Sequence, residues 1–203
     1  MNQPTIVWTG GEQSLPGYIA PKCVIGLDRD GTINRDLGTY CFKIEDFDPI
    51  PGSIEAVAML RKKGHKIAVI TNQGGIAQKL YTEDDVDRLH QHMLQLFGNA
   101  GCPSIDAIYY AGSNFKEDPF VKPNTGMFKR CEKEHKHIKF SEGYYVGDKM
   151  SDLKAAMNVG AIPVLVRTGY GRQTELDLQK FTYRKIKAKT LIFDNLLEFA
   201  NSL

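Results

Sequence analysis

Five apolar, β-branched runs punctuate the chain: CVIGLD (23–28), KIAVIT (66–71), IDAIYYA (105–111), GYYVGD (143–148) and IPVLVRT (162–168). Each is nearly continuous in hydrophobicity, as strands buried on both faces of a parallel sheet are. Helical periodicity fills the gaps between them. Over 53–63, Ile54, Val57, Ala58 and Leu60 share a face, with Ser53 expected as the N-cap and Gly64 just past the end. Over 82–97, Thr82 and Asp85 have capping-box spacing, Asp85 standing in for a longer glutamate, ahead of Val86, Leu89, Met93 and Phe97. Further helices are predicted to start near Thr125 and to run over 151–159 and 195–202, while 169–194 is left without an assigned element. Strands alternating with helices require right-handed crossovers. The expected fold class is therefore α/β, a doubly wound Rossmann-like parallel sheet with helices on both faces.

A length of 203 residues suits one such domain, expected over 23–203, and a chain of this size buries most of the surface it exposes when unfolded. Residues 1–22 lack periodicity and hold the only tryptophan, Trp8, so they are expected to form an N-terminal extension. No apolar run approaches the ~18 residues of a membrane span, and the N-terminus lacks the basic-then-apolar layout of a signal peptide. The expectation is a cytoplasmic protein with no membrane partner. Cys23, Cys41, Cys102 and Cys131 are widely spaced without a C-x-x-C pair, which reads as reduced thiols. His90/His92 and His135/His137 are spaced i, i+2, which on a helix points the rings to different faces, so no metal clamp is expected there. A net charge of +2 does not announce a nucleic-acid binder.

Polar signals gather at the ends of the predicted strands, where open α/β sheets bind ligands. Asp28 and Asp30 follow the first strand, Thr71 and Asn72 (in TNQGG) the second, Lys122 (in VKPNTGM) the third after a loop, and Asp148 and Asp152 (in GDKMSD) the fourth. Each alone is an ordinary turn or cap; four together in one place are not. Two carboxylates about 4 Å apart repel by about 4 kcal/mol at an effective dielectric near 20. Asp28 and Asp30 thus call for solvent, a shared proton or a cation. A carboxylate can act as nucleophile toward phosphorus, Mg²⁺ takes a few carboxylates with water and phosphate, and a hydroxyl and an ammonium can hold phosphoryl oxygens. A calcium EF-hand at DRDGTINRDLGT is excluded, because Ile33 and Thr39 stand where its glycine and glutamate are required.

This ordered set resembles the four motifs of the haloacid dehalogenase (HAD) superfamily of phosphotransferases, over nearly all of the chain from Cys23 onward. The resemblance implies Asp28 as nucleophile, Asp30 as general acid/base, and Thr71 and Lys122 as stabilisers of the phosphoryl group. It implies Mg²⁺ held by the Asp28 carboxylate, the Asp30 carbonyl and Asp148, with Asp152 as acidic support. The ion and the substrate phosphate would sit between the Asp28–Asp30 pair and Asp148, with the Asp30 carboxylate pointing away from the metal. Between Asp28 and Thr71, and again between Thr71 and Lys122, there is room for one helix, one strand and loops but not for a cap domain. An open site is expected.

LDRDGTIN, TNQGGIA and VGDKMSDLKAAMNVGAIPVLVRTG are most similar to the capless branch of heptose bisphosphate and histidinol phosphatases. That likeness implies a small phosphorylated metabolite as partner, lined by Asp36, Leu37, Gly38 and Thr39, by Thr71, Asn72, Gln73 and Gly74, and by Lys149. Two positions depart from the branch. Its Cys/His zinc loop is here AGSNFKEDPFVKP, with neither residue, so zinc is not expected; its recognition arginine before the motif lysine is Val121. KPNTGM also resembles polynucleotide 3′-phosphatases, a second reading with nucleic-acid ends as substrate. Lys129, Arg130, Lys133, Lys136, Lys139 and YRKIKAK (183–189) would supply its backbone contacts, against the plainer reading of a solvated surface. A phospho-accepting signalling module, from a different class, uses a similar acidic cluster but is shorter and has no need of GDKMSD.

Overall fold

A strand forms on each of the five apolar runs, and two short strands, Thr5–Ile6 and Leu191–Phe193, form outside them. In the computed structural model, which describes residues 23–203 and the backbone of Thr5–Ile6, they are β1 (Thr5–Ile6), β2 (Val24–Leu27), β3 (Lys66–Asn72), β4 (Ala107–Ala111), β5 (Tyr144–Gly147), β6 (Ile162–Val166) and β7 (Leu191–Phe193). They make one sheet in the order β1-β4-β3-β2-β5-β6-β7. From β4 across to β7 every pairing is parallel, as the doubly wound expectation requires. β1 is an addition to it, pairing antiparallel with β4 so that Thr5 opposes Tyr109. The rest of the N-terminal extension expected over 1–22, including Trp8, lies outside the described residues.

The helices are α1 (Ser53–Lys62), α2 (Glu83–Asn99), α3 (Gly126–Glu134), α4 (Met150–Val159), α5 (Gly171–Asp177), α6 (Arg184–Lys187) and α7 (Leu196–Ser202). Alternation along β3 shows how the sheet is sandwiched. Ile67 and Val69 belong to a core with Leu60 of α1, Met93 and Phe97 of α2 and Phe199 of α7. Ala68 and Ile70 face the opposite core, with Met127 and Phe128 of α3 and Ala155 and Ala156 of α4. A one-residue slip would exchange the two sets, so burial on both faces fixes the register that places every strand end. The β2–β3 and β3–β4 connections carry α1 and α2 with loops and no inserted domain. Among the described residues no helix is long and apolar enough to cross a membrane.

Thr82 caps α2 as predicted, accepting from the Asp85 N–H at 3.2 Å while the Asp85 carboxylate accepts from the Thr82 N–H at 2.8 Å. Ser53 does not cap α1. Gly52, at φ 82°, takes that place, and the buried Ser53 hydroxyl donates instead to the Ile33 carbonyl at 2.6 Å. The hydroxyl finds a stronger use tying α1 to the loop after β2. His135 and His137 also differ from expectation: they lie beyond the end of α3, and their rings meet edge to face at 5.9 Å.

Candidate active site

β2 is the first strand of the parallel set and lies at its centre, with β3 on one side and β5 on the other. The chain winds outward in both directions from it, so its carboxyl end is the switch point where doubly wound sheets take ligands. Asp28 extends the ladder there by one step, its N–H donating to the Val146 carbonyl at 2.9 Å. Asp148 follows β5, and Asp152 lies in the first turn of α4, where its Oδ2 accepts the Lys149 N–H at 3.0 Å. Asp28, Asp148 and Asp152 each bring a carboxylate oxygen within 4.8 Å of the others, and all three are buried.

Lys122 crosses this cluster. Its Nζ lies 2.7 Å from Asp28 Oδ1 and 2.8 Å from Asp152 Oδ1, and donates to the Ile70 carbonyl at 2.9 Å. The Tyr145 hydroxyl, 2.9 Å from the same nitrogen, donates in turn to Ile70 at 2.7 Å. Tyr145 can lie there because residue 26 is glycine, where a Cβ would come within 2.5 Å of the Tyr145 ring. Burial alone would pull the Lys122 pKa down, but Asp152 and Asp28 hold it well above its ordinary value. The ammonium is therefore charged, and it neutralises one of three carboxylates.

The surplus charge falls on Asp148. Burial, reinforced by Asp152 and Asp28, pushes its carboxyl up to about 8. Its Oδ2 accepts the Tyr170 N–H at 2.8 Å, whereas buried Oδ1 has no hydrogen-bond partner among the described residues. Gly31 makes this close packing feasible, with φ 89° and a Cβ position only 2.1 Å from Asp148 Oδ2. An all-oxygen donor set with excess negative charge and one unsatisfied buried oxygen suits a hard divalent cation. Asp28 and Asp148 could hold it, with Asp152 beside them and engaged with Lys122 and the α4 backbone.

Asp30 is not part of that cluster. Its Oδ1 accepts from Arg29 Nε at 3.0 Å and Asn34 Nδ2 at 2.9 Å, and its Oδ2 from Arg29 Nη2 at 2.8 Å and Gln73 Nε2 at 3.0 Å. The Asp30 carboxylate thus turns away from the acidic cluster and toward a buried guanidinium. Thr71 is buried at the end of β3, its hydroxyl accepting from Gln73 Nε2 at 3.1 Å. Gln73 also accepts from the Tyr81 hydroxyl at 3.0 Å, so its amide is used in holding Asp30 and Thr71. Asn72 and Lys122 are clamped backbone to side chain, with the Lys122 N–H donating to Asn72 Oδ1 at 3.0 Å.

Of the other residues expected to line the substrate, Leu37, Gly38 and Thr39 lie on an exposed loop, and Gly74 is partly exposed. Lys149 pairs with Asp36 at 2.7 Å and lies 4.9 Å from the Tyr170 ring centre. Val121 is buried in the α3–α4 core, not facing the site. Sequence reasoning missed Arg29, Asn34, His90, Tyr145 and Tyr170. Only Arg29 carried a signal, a basic residue between two aspartates, and nothing local marks the others.

A family model described as polynucleotide kinase 3 phosphatase matches residues 24–162. The D-glycero-beta-D-manno-heptose-1,7-bisphosphate 7-phosphatase of Pseudomonas putida is 39% identical over 177 residues, covering 87% of this chain and 97% of its own. The Escherichia coli K12 enzyme of the same name is 39% identical over 155 residues, covering 71% and 79%. Among solved structures, the D,D-heptose 1,7-bisphosphate phosphatase of B. bronchiseptica, complexed with magnesium and phosphate, superposes with a TM-score of 0.80 at 28% identity, covering 89% of this chain and 97% of that one. These likenesses settle the family: the chain belongs to the HAD-like phosphatases, on the branch of the heptose-1,7-bisphosphate 7-phosphatases.

Proposed function

We propose that this phosphatase removes the 7-phosphate of a D-glycero-D-manno-heptose 1,7-bisphosphate, or of a sugar bisphosphate of the same shape, using Mg²⁺ held by Asp28 and Asp148, and that residues 23–203 form its catalytic domain. The observation that carries the reading is the buried Asp28–Asp148–Asp152 cluster crossed by Lys122, in a chain that aligns with 97% of the P. putida enzyme. Asp28 attacks phosphorus, the bond from phosphorus to the sugar oxygen breaks, and an aspartyl phosphate forms. Asp30 gives the departing oxygen its proton, then takes one from the water that attacks the acyl phosphate, which frees phosphate and restores Asp28. Lys122 and Thr71 hold the phosphoryl oxygens as charge moves onto them. When bound, Mg²⁺ supplies neutralisation of that charge.

With Val121 turned into the core, Lys149, beside the exposed Leu37–Gly38–Thr39 loop, is a cation for a second anionic group. We place the reaction in the cytoplasm, where cysteines that form no disulfide stay as thiols. A second reading, hydrolysis at 3′-phosphorylated nucleic-acid ends, is favoured by the family model over 24–162. The basic residues that would support it lie on and after α3, where Arg130 pairs with Glu134 at 2.9 Å and Lys129, Lys133, Lys136 and Lys139 are solvated. A panel of sugar monophosphates, sugar bisphosphates, histidinol phosphate and 3′-phosphorylated oligonucleotides, assayed with Mg²⁺, separates the two. The sugar bisphosphate is expected to lead in kcat/KM by at least about tenfold, a difference of about 1.4 kcal/mol. An oligonucleotide in first place replaces the proposal with the second reading.

A further inference from the structure

We propose that Arg29 and His90 are positioning residues that fix the proton-transfer carboxylate of Asp30, so that α2 takes part in the chemistry from behind the site. The inference rests on the acid–base role proposed for Asp30. Arg29 lies between the two motif aspartates, yet its side chain is fully buried, without contact to solvent. It grips Asp30 in a two-point fork, Nε to Oδ1 at 3.0 Å and Nη2 to Oδ2 at 2.8 Å. A fork of that kind sets the plane of a carboxylate as well as its position, which a single contact does not.

The fork is itself braced from two sides. Nη2 also donates to the Cys41 carbonyl at 2.7 Å, and Nη1 lies 3.3 Å from Nε2 of His90, on α2. Guanidinium nitrogens only donate, so His90 Nε2 must accept, which makes the imidazole neutral with its proton on Nδ1. Burial, and then the Arg29 charge, pull the His90 pKa well below its ordinary value, in agreement with that tautomer. His90 Nδ1 has no hydrogen-bond partner among the described residues. The imidazole thus turns its acceptor nitrogen to Arg29, a contact that a leucine at this position could not make. Asn34 Nδ2 and Gln73 Nε2 complete the cradle, giving each Asp30 oxygen two donors.

Such positioning has a consequence that packing alone does not. General acid assistance matters for an alkoxide leaving group and hardly at all for a stable phenolate. The probes are therefore an alkyl phosphate (the sugar bisphosphate or a simple sugar phosphate) and 2,4-dinitrophenyl phosphate, compared by kcat/KM with saturating Mg²⁺. Asp30→Asn is expected to lose about 10²–10⁴-fold on the alkyl ester and little on the aryl ester. His90→Leu and Arg29→Lys should show the same selective pattern in milder form, at least about tenfold on the alkyl ester and under about threefold on the aryl ester. His90→Gln, which keeps an acceptor for Nη1, should recover most of the loss. Thermal unfolding of each variant reports on folding, and Arg29→Lys carries the test alone if His90→Leu does not fold. Equal losses on both esters in the Arg29 and His90 variants, or no loss, while Asp30→Asn remains selective, overturn the positioning role. An unselective Asp30→Asn overturns the acid–base reading and the inference with it.

Discussion

At Asp28 an ammonium sits 2.7 Å from Oδ1, and at Asp30 a guanidinium sits 2.8 Å from Oδ2. Two aspartates one residue apart are thus each held against a different cation, Lys122 and Arg29, which point them to different tasks. The carboxylate facing the acidic cluster can attack; the one held in the Arg29 fork can move a proton. Asp28→Asn should lower turnover by about 10³-fold or more while leaving the thermal midpoint near the parent value. Substantial residual hydrolysis would remove Asp28 as nucleophile. Lys122→Met leaves buried carboxylates without their counter-charge, and breaking such a pair typically costs about 3–5 kcal/mol. Urea unfolding reads this directly, and a loss under about 1 kcal/mol would show that Lys122 does not hold the cluster together.

Elements decide which of these residues meet. The strands β2 to β6 were legible because continuous apolar runs leave a buried parallel strand as the economical reading, and their ends located Asp28, Thr71, Lys122 and Asp148 on one edge. The Thr82–Asp85 box was legible because capping is local. Thr82→Ala should cost about 1 kcal/mol, measured by urea unfolding, and with α2 carrying His90 it should slow alkyl ester hydrolysis slightly. What stayed hidden depends on distant contacts. β7 is three half-exposed residues, Leu191–Phe193, added at the sheet edge. α5 lies in the stretch left unassigned, where Gly169 and Gly171 read as loop, yet it brings Tyr170 N–H and the Thr174 hydroxyl onto Asp148 at 2.8 Å each. Ser53 misled because a serine before an apolar periodic run caps a helix unless a neighbouring carbonyl, here Ile33, claims its hydroxyl. Arg29 carried a signal as a basic residue between two aspartates, but its fork onto Asp30 did not, because alternate side chains on an extended segment are expected to point to opposite sides.

On the scale of the whole molecule, the sheet gathers three buried carboxylates at one edge, with no cap domain inserted between the strands that carry them. Metal-free, this arrangement must respond to pH in a set direction. Asp148 has an ordinary value of 3.8 and is pushed up to about 8 in the fold. Between those values the folded protein binds more protons than the unfolded chain, so stability falls as pH rises through the window. In a chelator the thermal midpoint should decline from about pH 5 to about pH 8, and Mg²⁺ should restore it most at the alkaline end; a metal-free midpoint that climbs across that range contradicts the acidic cluster's role. The central claim is the reaction itself, and it is tested most directly by following D-glycero-D-manno-heptose 1,7-bisphosphate by ³¹P NMR with Mg²⁺ and enzyme. The expected result is loss of the 7-phosphate signal with the 1-phosphate left in place, absent in Asp28→Asn and stopped by chelation. Release of the 1-phosphate instead, or turnover that persists in either control, would contradict it.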